Sequence, residues 1–199
     1  MLRNMSQHPD GQALNQPQAH ETLRSDDKSS STNEHRAQAP ESVRVAVLVL
    51  SDTRTLDSDK GGQLVEELLG AAGHEITLRQ IVRDEIEAIK TAASDAIGSD
   101  VEVVILTGGS GIGPRDVTPE AIRPMLTREL PGFGEVFRVL SFQEIGAATM
   151  LSRAFAGIAG RTLVFVLPGS VNAVRLAMEK LIVPEIGHLV REVRPERRK

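Results

Sequence analysis

The glycine-rich stretch VEVVILTGGSGIGPRDVTP, residues 101–119, is where this chain gathers the most chemistry. Gly108, Gly109, Gly111 and Gly113 let a backbone pass close to a ligand and aim N–H groups at anionic oxygens, because no Cβ stands in the way. Thr107 and Ser110 add hydroxyls. Arg115 is placed to neutralise phosphate, and Asp116 to hold a metal or accept a proton. Thr118 and Pro119 read as N-cap and first residue of a helix, whose positive end would then lie beside the loop. A tight strand-to-helix connection would also need glycines, so the glycines alone are a weak signal. The Arg-Asp pair directly before a helix start is what points to an anion site.

Three further loops carry reactive side chains after apolar runs: Ser51-Asp52-Thr53-Arg54, completed by Asp59-Lys60-Gly61; Arg83-Asp84-Glu85; and Pro168-Gly169-Ser170. Singly, each has a structural explanation. Asp52 and Asp84 suit turns or N-caps, and Ser170 suits an N-cap. Together they offer carboxylates, hydroxyls and glycines, a set that fits a phosphorylated substrate with a divalent metal better than hydride transfer or a Ser-His-Asp triad. His74 and His188 lie off these loops, so no histidine base is expected. No Lys follows the glycines as a P-loop requires, and the first strand ends in Ser-Asp-Thr-Arg rather than a dinucleotide-binding Gly-x-Gly-x-x-Gly. Ser152 and Arg153 read as part of a helical stretch, with Arg153 either binding phosphate or pairing with a carboxylate. Phe133, Phe137 and Phe142 read as packing residues, inside the helix or at a subunit interface.

These loops need a scaffold, and the apolar pattern from residue 43 onward describes one. Strands are predicted at 43–50, 76–82, 103–107 and 162–167, and helices at 61–72, 84–97 (with Ile86, Ile89, Ala93 and Ile97 facing inward), from Thr118, over 133–157 with a break near Ser141 or Gly146, and from Val171. Strands alternating with crossover helices imply a mostly parallel sheet with helices on both faces, and its carboxyl edge is where open α/β sheets bind ligands. The core must be aliphatic: 40% of the 199 residues are hydrophobic but only 3% aromatic, without Trp or Tyr. The absence of Cys removes disulfides, thiolate metal sites and cysteine nucleophiles, and fits a cytoplasmic protein. A net charge of −4 gives no nucleic-acid footprint, and no apolar run suggests a membrane span. Residues 1–42 are polar and aperiodic, without the apolar region of a secretory signal, and read as a disordered tail. Residues 191–199 read as a basic C-terminal tail.

Ile105-Leu106-Thr107-Gly108-Gly109-Ser110-Gly111, with Arg115-Asp116-Val117-Thr118-Pro119-Glu120-Ala121, resembles the signature of the MogA/MoaB family of molybdenum-cofactor biosynthesis proteins. Gly132-Phe133-Gly134-Glu135, Leu151-Ser152-Arg153 and Leu167-Pro168-Gly169-Ser170 match further family motifs in order, over residues 43–190. The segment 137–146, Phe-Arg-Val-Leu-Ser-Phe-Gln-Glu-Ile-Gly, looks more like the MoaB branch. The resemblance implies a three-layer α/β/α fold assembled as homo-trimers or hexamers. It also implies adenylyl transfer from Mg-ATP to the phosphate of molybdopterin, with later hand-off to a molybdenum-insertion protein. On this resemblance Asp84 and Asp116 are the catalytic acids and hold Mg²⁺. Ser51, Asp52, Thr107, Gly108, Gly109, Ser110, Gly111, Arg115, Ser152, Arg153, Pro168, Gly169 and Ser170 would line the substrate and nucleotide site. Many members have Ser-Asp-Arg where this chain has Ser51-Asp52-Thr53-Arg54, which leaves the arginine's position open. A catalytically silent ligand-binding oligomer of the MoaB branch, and a nucleotide pyrophosphatase of the CinA type, are the alternatives.

Overall fold

A computed structural model describes residues 38–194 and 196. Three strands form the centre of one sheet: β1 (Arg44–Leu50), β3 (Val103–Thr107) and β6 (Thr162–Leu167). Each is apolar at nearly every position because both sheet faces are covered. The full order is β2-β1-β3-β6-β5-β4, with β2 at Glu75–Val82, β4 at Arg128–Glu129 and β5 at Phe155–Ala159. β2, β1, β3 and β6 run parallel, and β5 and β4 add an antiparallel edge.

Alternation along the strands sorts the core into two layers. Val45, Val47, Val49, Ile105 and Phe165 face one side, where they pack on α1 (Lys60–Ala71), α4 (Pro131–Ile145), α5 (Val171–Ala177) and α6 (Val183–Val193). Ala46, Leu48, Leu106, Val164 and Val166 face the other, against α2 (Ile86–Gly98) and α3 (Thr118–Ile122). The three-layer α/β/α architecture follows from this pleat. A π-helical turn, Met178–Ile182, joins α5 to α6 just before Pro184, which has no N–H to continue an α-helical ladder.

Several expected elements differ. The helix predicted over 133–157 does break at Gly146, one of the two expected places, but it does not resume: a 3₁₀ segment, Gly146–Leu151, follows, and then β5. Phe-Ala-Gly-Ile-Ala carries little strand propensity, and its hydrogen bonds come from β6 across the turn at Gly160. Ser152 and Arg153 therefore sit in the loop entering β5, outside any helix. In α2 the buried residues are Ile89, Ala92, Ala93 and Ala96, while Ile86 is exposed. Small alanines bring that helix close to the sheet, and its first turn is left at the edge. The N-cap of α3 is Val117, with Thr118 and Pro119 inside the helix.

At the termini, residues 1–37 of the expected disordered tail lie outside the described residues. Gln38 accepts from Arg191 at 2.9 Å, and a Cβ on Gly187 would lie 3.2 Å from Ala39 and from Pro40, so residues 38–40 pack on α6. Helix α6 continues to Val193, which puts Arg191, assigned from sequence to the basic tail, in the helix and buried. Arg194 donates to the carbonyls of Arg161 and Val101. Residue 195 and residues 197–199 lie outside the described set.

Candidate functional site

Parallel β2, β1, β3 and β6 bring the loops after Val82, Leu50, Thr107 and Leu167 to one edge, and side-chain hydrogen bonds tie them together. The Ser51 N–H donates to Val82 O (2.8 Å), and its hydroxyl accepts from the N–H groups of Thr53 and Arg54. Asp52 accepts from the Asp84 N–H at 3.2 Å and pairs with Arg115, joining three loops through one carboxylate. Thr107 donates to Pro168 O at 3.1 Å, linking the glycine loop to the last strand's loop. Ser170 accepts from the Ala173 N–H and caps α5, as its position predicts. Asp84 is not a helix cap, since Glu85 holds that place.

The glycines are required where the chain is most crowded. Gly108 has φ +113°, and a Cβ there would lie 2.4 Å from Leu50 O. Gly109 has φ +60°, and its Cβ would lie 2.4 Å from Thr118 Oγ1 and 3.2 Å from Asp84 Oδ1. At Gly111 a Cβ would approach Asp116 Oδ2 to 2.7 Å. The loop thus threads between the two acids. The Thr118 hydroxyl, expected to cap a helix, instead donates to Gly108 O at 3.0 Å and closes the loop. The Gly108 N–H, expected to face an anion, donates to Leu167 O at 3.1 Å and extends the sheet. Asp116 Oδ2 accepts from the Gly113 N–H at 2.8 Å.

Asp84 feels both its burial and its neighbour Asp116. Burial pushes the Asp84 carboxyl above its ordinary value, the negative charge of Asp116 adds to that, and the positive charge of Arg54 opposes both. Asp84 Oδ1 is buried without a hydrogen-bond partner. An orphaned carboxylate oxygen beside a second carboxylate fits a hard divalent cation. Among the described residues no group of three His, Cys, Asp or Glu side chains could hold a metal by itself. The two acids therefore suit an ion that brings other oxygen ligands with it.

The sequence left two roles open for Arg153, and the structure shows the carboxylate pairing, with Glu120. Its N–H donates to Ser110 O (2.9 Å), Nε to Gly111 O (2.6 Å) and Nη2 to Asp116 O (2.5 Å), while Nη1 pairs with Glu120. That guanidinium clamps the glycine loop, and it holds the Glu120 carboxyl below its ordinary range.

A cavity of about 270 Å³ opens beside the loop. Gly109–Gly111, Asp116, Gly169 and Ser170 form its polar side, and Phe137, Ile145 and Leu151 its apolar wall, with Ser141 and Thr149 hydrogen-bonded to each other. This is a polar rim on an apolar slot, the lining typical of small-molecule sites. A larger depression, about 500 Å³, lies on the far side of Arg153. Its arginines are occupied: Arg123 with Glu129 (2.5 Å), Arg138 with Ala154 O (3.0 Å) and Arg153 with the glycine loop. Sequence reasoning missed the apolar wall because the turn at Gly146 folds Thr149 and Leu151 back beside Ile145 at the end of α4, a placement that no local pattern specifies. It also missed that Asp59, quoted as part of the first loop, is fully buried against two arginines. The sequence signal for Asp59 was its place three residues before Gly62, whose N–H it caps.

Residues 46–188 match the family described as "Probable molybdopterin binding domain". The chain is 50% identical over 169 residues to Molybdenum cofactor biosynthesis protein B of Halalkalibacterium halodurans, covering 84% of this chain and 99% of that one. A crystal structure of a molybdenum cofactor biosynthesis protein B superposes with a TM-score of 0.77 at 50% identity, over 79% of this chain and 99% of that one. The tungsten cofactor synthesizing protein MoaB from Pyrococcus furiosus superposes with a TM-score of 0.71 at 41% identity, over 78% and 99%.

Proposed function

Because the chain belongs to the MogA/MoaB family of molybdenum-cofactor biosynthesis proteins, we propose that it transfers the adenylyl group of Mg-ATP to the phosphate of molybdopterin. An oxygen of that phosphate attacks the α-phosphorus of ATP, a new P–O bond forms, and the bond to the β-phosphate breaks to release pyrophosphate. The attacking phosphate is already an anion, so the protein's work is positioning and charge neutralisation more than proton removal. The observation that carries the reading is the pair Asp84 and Asp116 on either side of the glycine loop, with Asp84 Oδ1 buried and unpartnered. Those two carboxylates would hold Mg²⁺, which when bound withdraws charge from the phosphoryl oxygens and eases pyrophosphate departure.

The N–H groups of Gly109 and Gly111 can approach phosphate without a Cβ in the way, the Ser110 hydroxyl lies between them, and Arg115 offers charge at the rim. Gly108, Ser51, Asp52, Thr107, Pro168 and Ser170 shape the loops. Ser152 and Gly169 line the heterocycle's cavity, and Arg153 keeps the loop in place. Retention of both acids at one edge supports a catalytic member over a silent one. The apolar residues Val136, Val139, Phe142, Ile145, Met150 and Leu151 are exposed along α4 and the segment after it. They support assembly into a trimer or a dimer of trimers. Cytoplasmic placement and hand-off of the adenylylated product to a molybdenum-insertion protein complete the reading. Among the described residues no helix is long and apolar enough to cross a membrane.

The test is direct. Purified protein given molybdopterin and Mg-ATP should release one pyrophosphate per adenylylated molybdopterin, and EDTA should stop it. Absence of product under these conditions overturns the assignment. Calorimetry should detect no tight Mg²⁺ binding without nucleotide; tight binding to the free protein overturns the substrate-held metal.

A further inference from the structure

Three arginines stand at the glycine loop, and they differ in what their N–H groups already do. A guanidinium has five N–H donors in a fixed fork. Arg153 has Nε, Nη1 and Nη2 all committed to the loop and Glu120. Arg115 is 72% exposed and turned onto Asp52. The Arg54 side chain is 34% exposed, and its guanidinium gives one hydrogen bond, from Nη2 to Gly169 O at 3.1 Å, with Asp59 Oδ1 lying 3.9 Å from Nη1. Its other guanidinium N–H groups have no hydrogen-bond acceptor among the described residues.

The place of Arg54 is set by a buried anion. Asp59 is fully buried at the N-terminus of α1, where both oxygens accept from the Gly62 N–H at 3.1 Å. Oδ2 also takes Arg79 Nη1 at 3.3 Å, while Arg79 Nε holds Glu66 at 2.9 Å. A buried carboxylate needs such neighbours to stay ionised. Arg79 is thereby fully engaged with its own partners, and Arg54 completes the cluster from the ligand side. A Cβ on Gly169 would lie 3.3 Å from Gly108 Cα and 4.0 Å from Arg54 Nη1. The guanidinium therefore sits where the last strand's loop crosses the start of the glycine loop.

We infer that Arg54 is the fixed cation that meets the phosphoryl chain of the nucleotide, and that buried Asp59 is the positioning residue that aims it. The inference rests on the adenylyl-transfer reading and names a binding group for it. Arg54 has one of its three guanidinium nitrogens committed to a hydrogen bond where Arg153 has all three, and it is better shielded from salt than Arg115.

The experiment titrates inorganic pyrophosphate and Mg-ATP into wild-type protein, Arg54→Gln, Arg115→Gln, Asp59→Asn and the double variant Arg54→Gln/Asp59→Asn. Unfolding temperatures and adenylyl-transfer kinetics accompany the titrations. Arg54→Gln should weaken both ligands about tenfold or more, as loss of a charge-assisted pair does, and raise KM for ATP more than it lowers kcat. Arg115→Gln should weaken them less. Asp59→Asn keeps the cap acceptor and should weaken binding about threefold or more in the wild-type background, with no further loss when Arg54 is already gone. Partly exposed Arg54 tolerates glutamine, so that variant carries the test even if Asp59→Asn unfolds. Arg54→Gln binding within about twofold of active wild type overturns the assignment alone. An equal loss from Asp59→Asn in both backgrounds overturns the positioning role. Wild-type protein that binds neither ligand overturns the nucleotide reading and this inference with it.

Discussion

Asp116 and Asp84 do different work at the level of single side chains. Asp116 spends one oxygen on the Gly113 N–H, and asparagine can keep that bond while losing the charge. Asp116→Asn should thus leave the fold and assembly intact yet lower adenylyl transfer about a hundredfold or more, the usual cost of one electrostatic stabiliser. Near-normal turnover would remove Asp116 from the mechanism. Asp84 bears a penalty in the metal-free protein, because burial and Asp116 together raise its carboxyl. A raised carboxyl binds its proton more tightly in the folded state than in the unfolded one. The penalty is absent below the ordinary carboxylate value, grows as pH rises from that value to the raised folded-state value, and is constant above it. Asp84→Asn should therefore raise the unfolding temperature at neutral pH, with the difference shrinking as pH falls, while abolishing activity. A thermal scan across pH checks both the sign and the trend.

Among the structural elements, the glycine loop shows how position overrides propensity. Its exit from β3 takes Gly108 through φ +113° with Leu50 O 2.4 Å from any Cβ. That contact cannot relax without moving β1, since the obstructing atom is backbone. Gly108→Ala should cost about 2 kcal/mol or more in denaturant unfolding, the scale of strained backbone plus overpacking. A loss of only a few tenths would mean that the loop has room. Arg153 secures the same loop from the entry to β5, with four bonds that span 33 to 43 residues of sequence. The helix α3 is too short to act as a strong dipole. The anchoring of this loop therefore comes from Thr118, Arg153 and Asp116.

In the whole molecule, two features extend beyond the site. The exposed apolar residues on α4 and its 3₁₀ extension include Phe142 at 61% and Val139 at 61% exposure. Sedimentation should show a trimer or hexamer at micromolar concentration, and Val139→Asp with Phe142→Asp should shift it towards monomer. A monomeric wild type would contradict the assembly. At the N-terminus, residues 38–40 pack on α6, and Gln38 accepts from Arg191 Nη2. Deleting residues 1–42 should therefore lower the unfolding temperature more than deleting residues 1–37. Equal melting of the two truncations would show that the contact adds nothing.

The central strands were legible because β1, β3 and β6 are covered on both faces, and full coverage selects unbroken runs of Val, Ile and Leu. The order of site loops was legible too, since parallel topology sends every loop after such a run to the same edge. Ser170 could be recognised as a cap from its neighbours alone. Strand β5 could not, because Phe-Ala-Gly-Ile-Ala becomes a strand only by pairing with β6, and local propensity does not contain that partner. Nor could the roles of the arginines be read. Arg54, Arg115 and Arg153 are one residue type in three polar contexts, and what separates them is which donors are already taken by Gly169, Asp52 and the glycine loop. Thr118 likewise gave up its cap because Gly108 O came within 3.0 Å of its hydroxyl. Residue types and their order along the chain specified the layers and brought the acids to one edge. Hydrogen bonds between groups far apart in sequence decided which of those residues stay open to a ligand, because a donor's availability depends on every acceptor that the folded chain brings within reach of it.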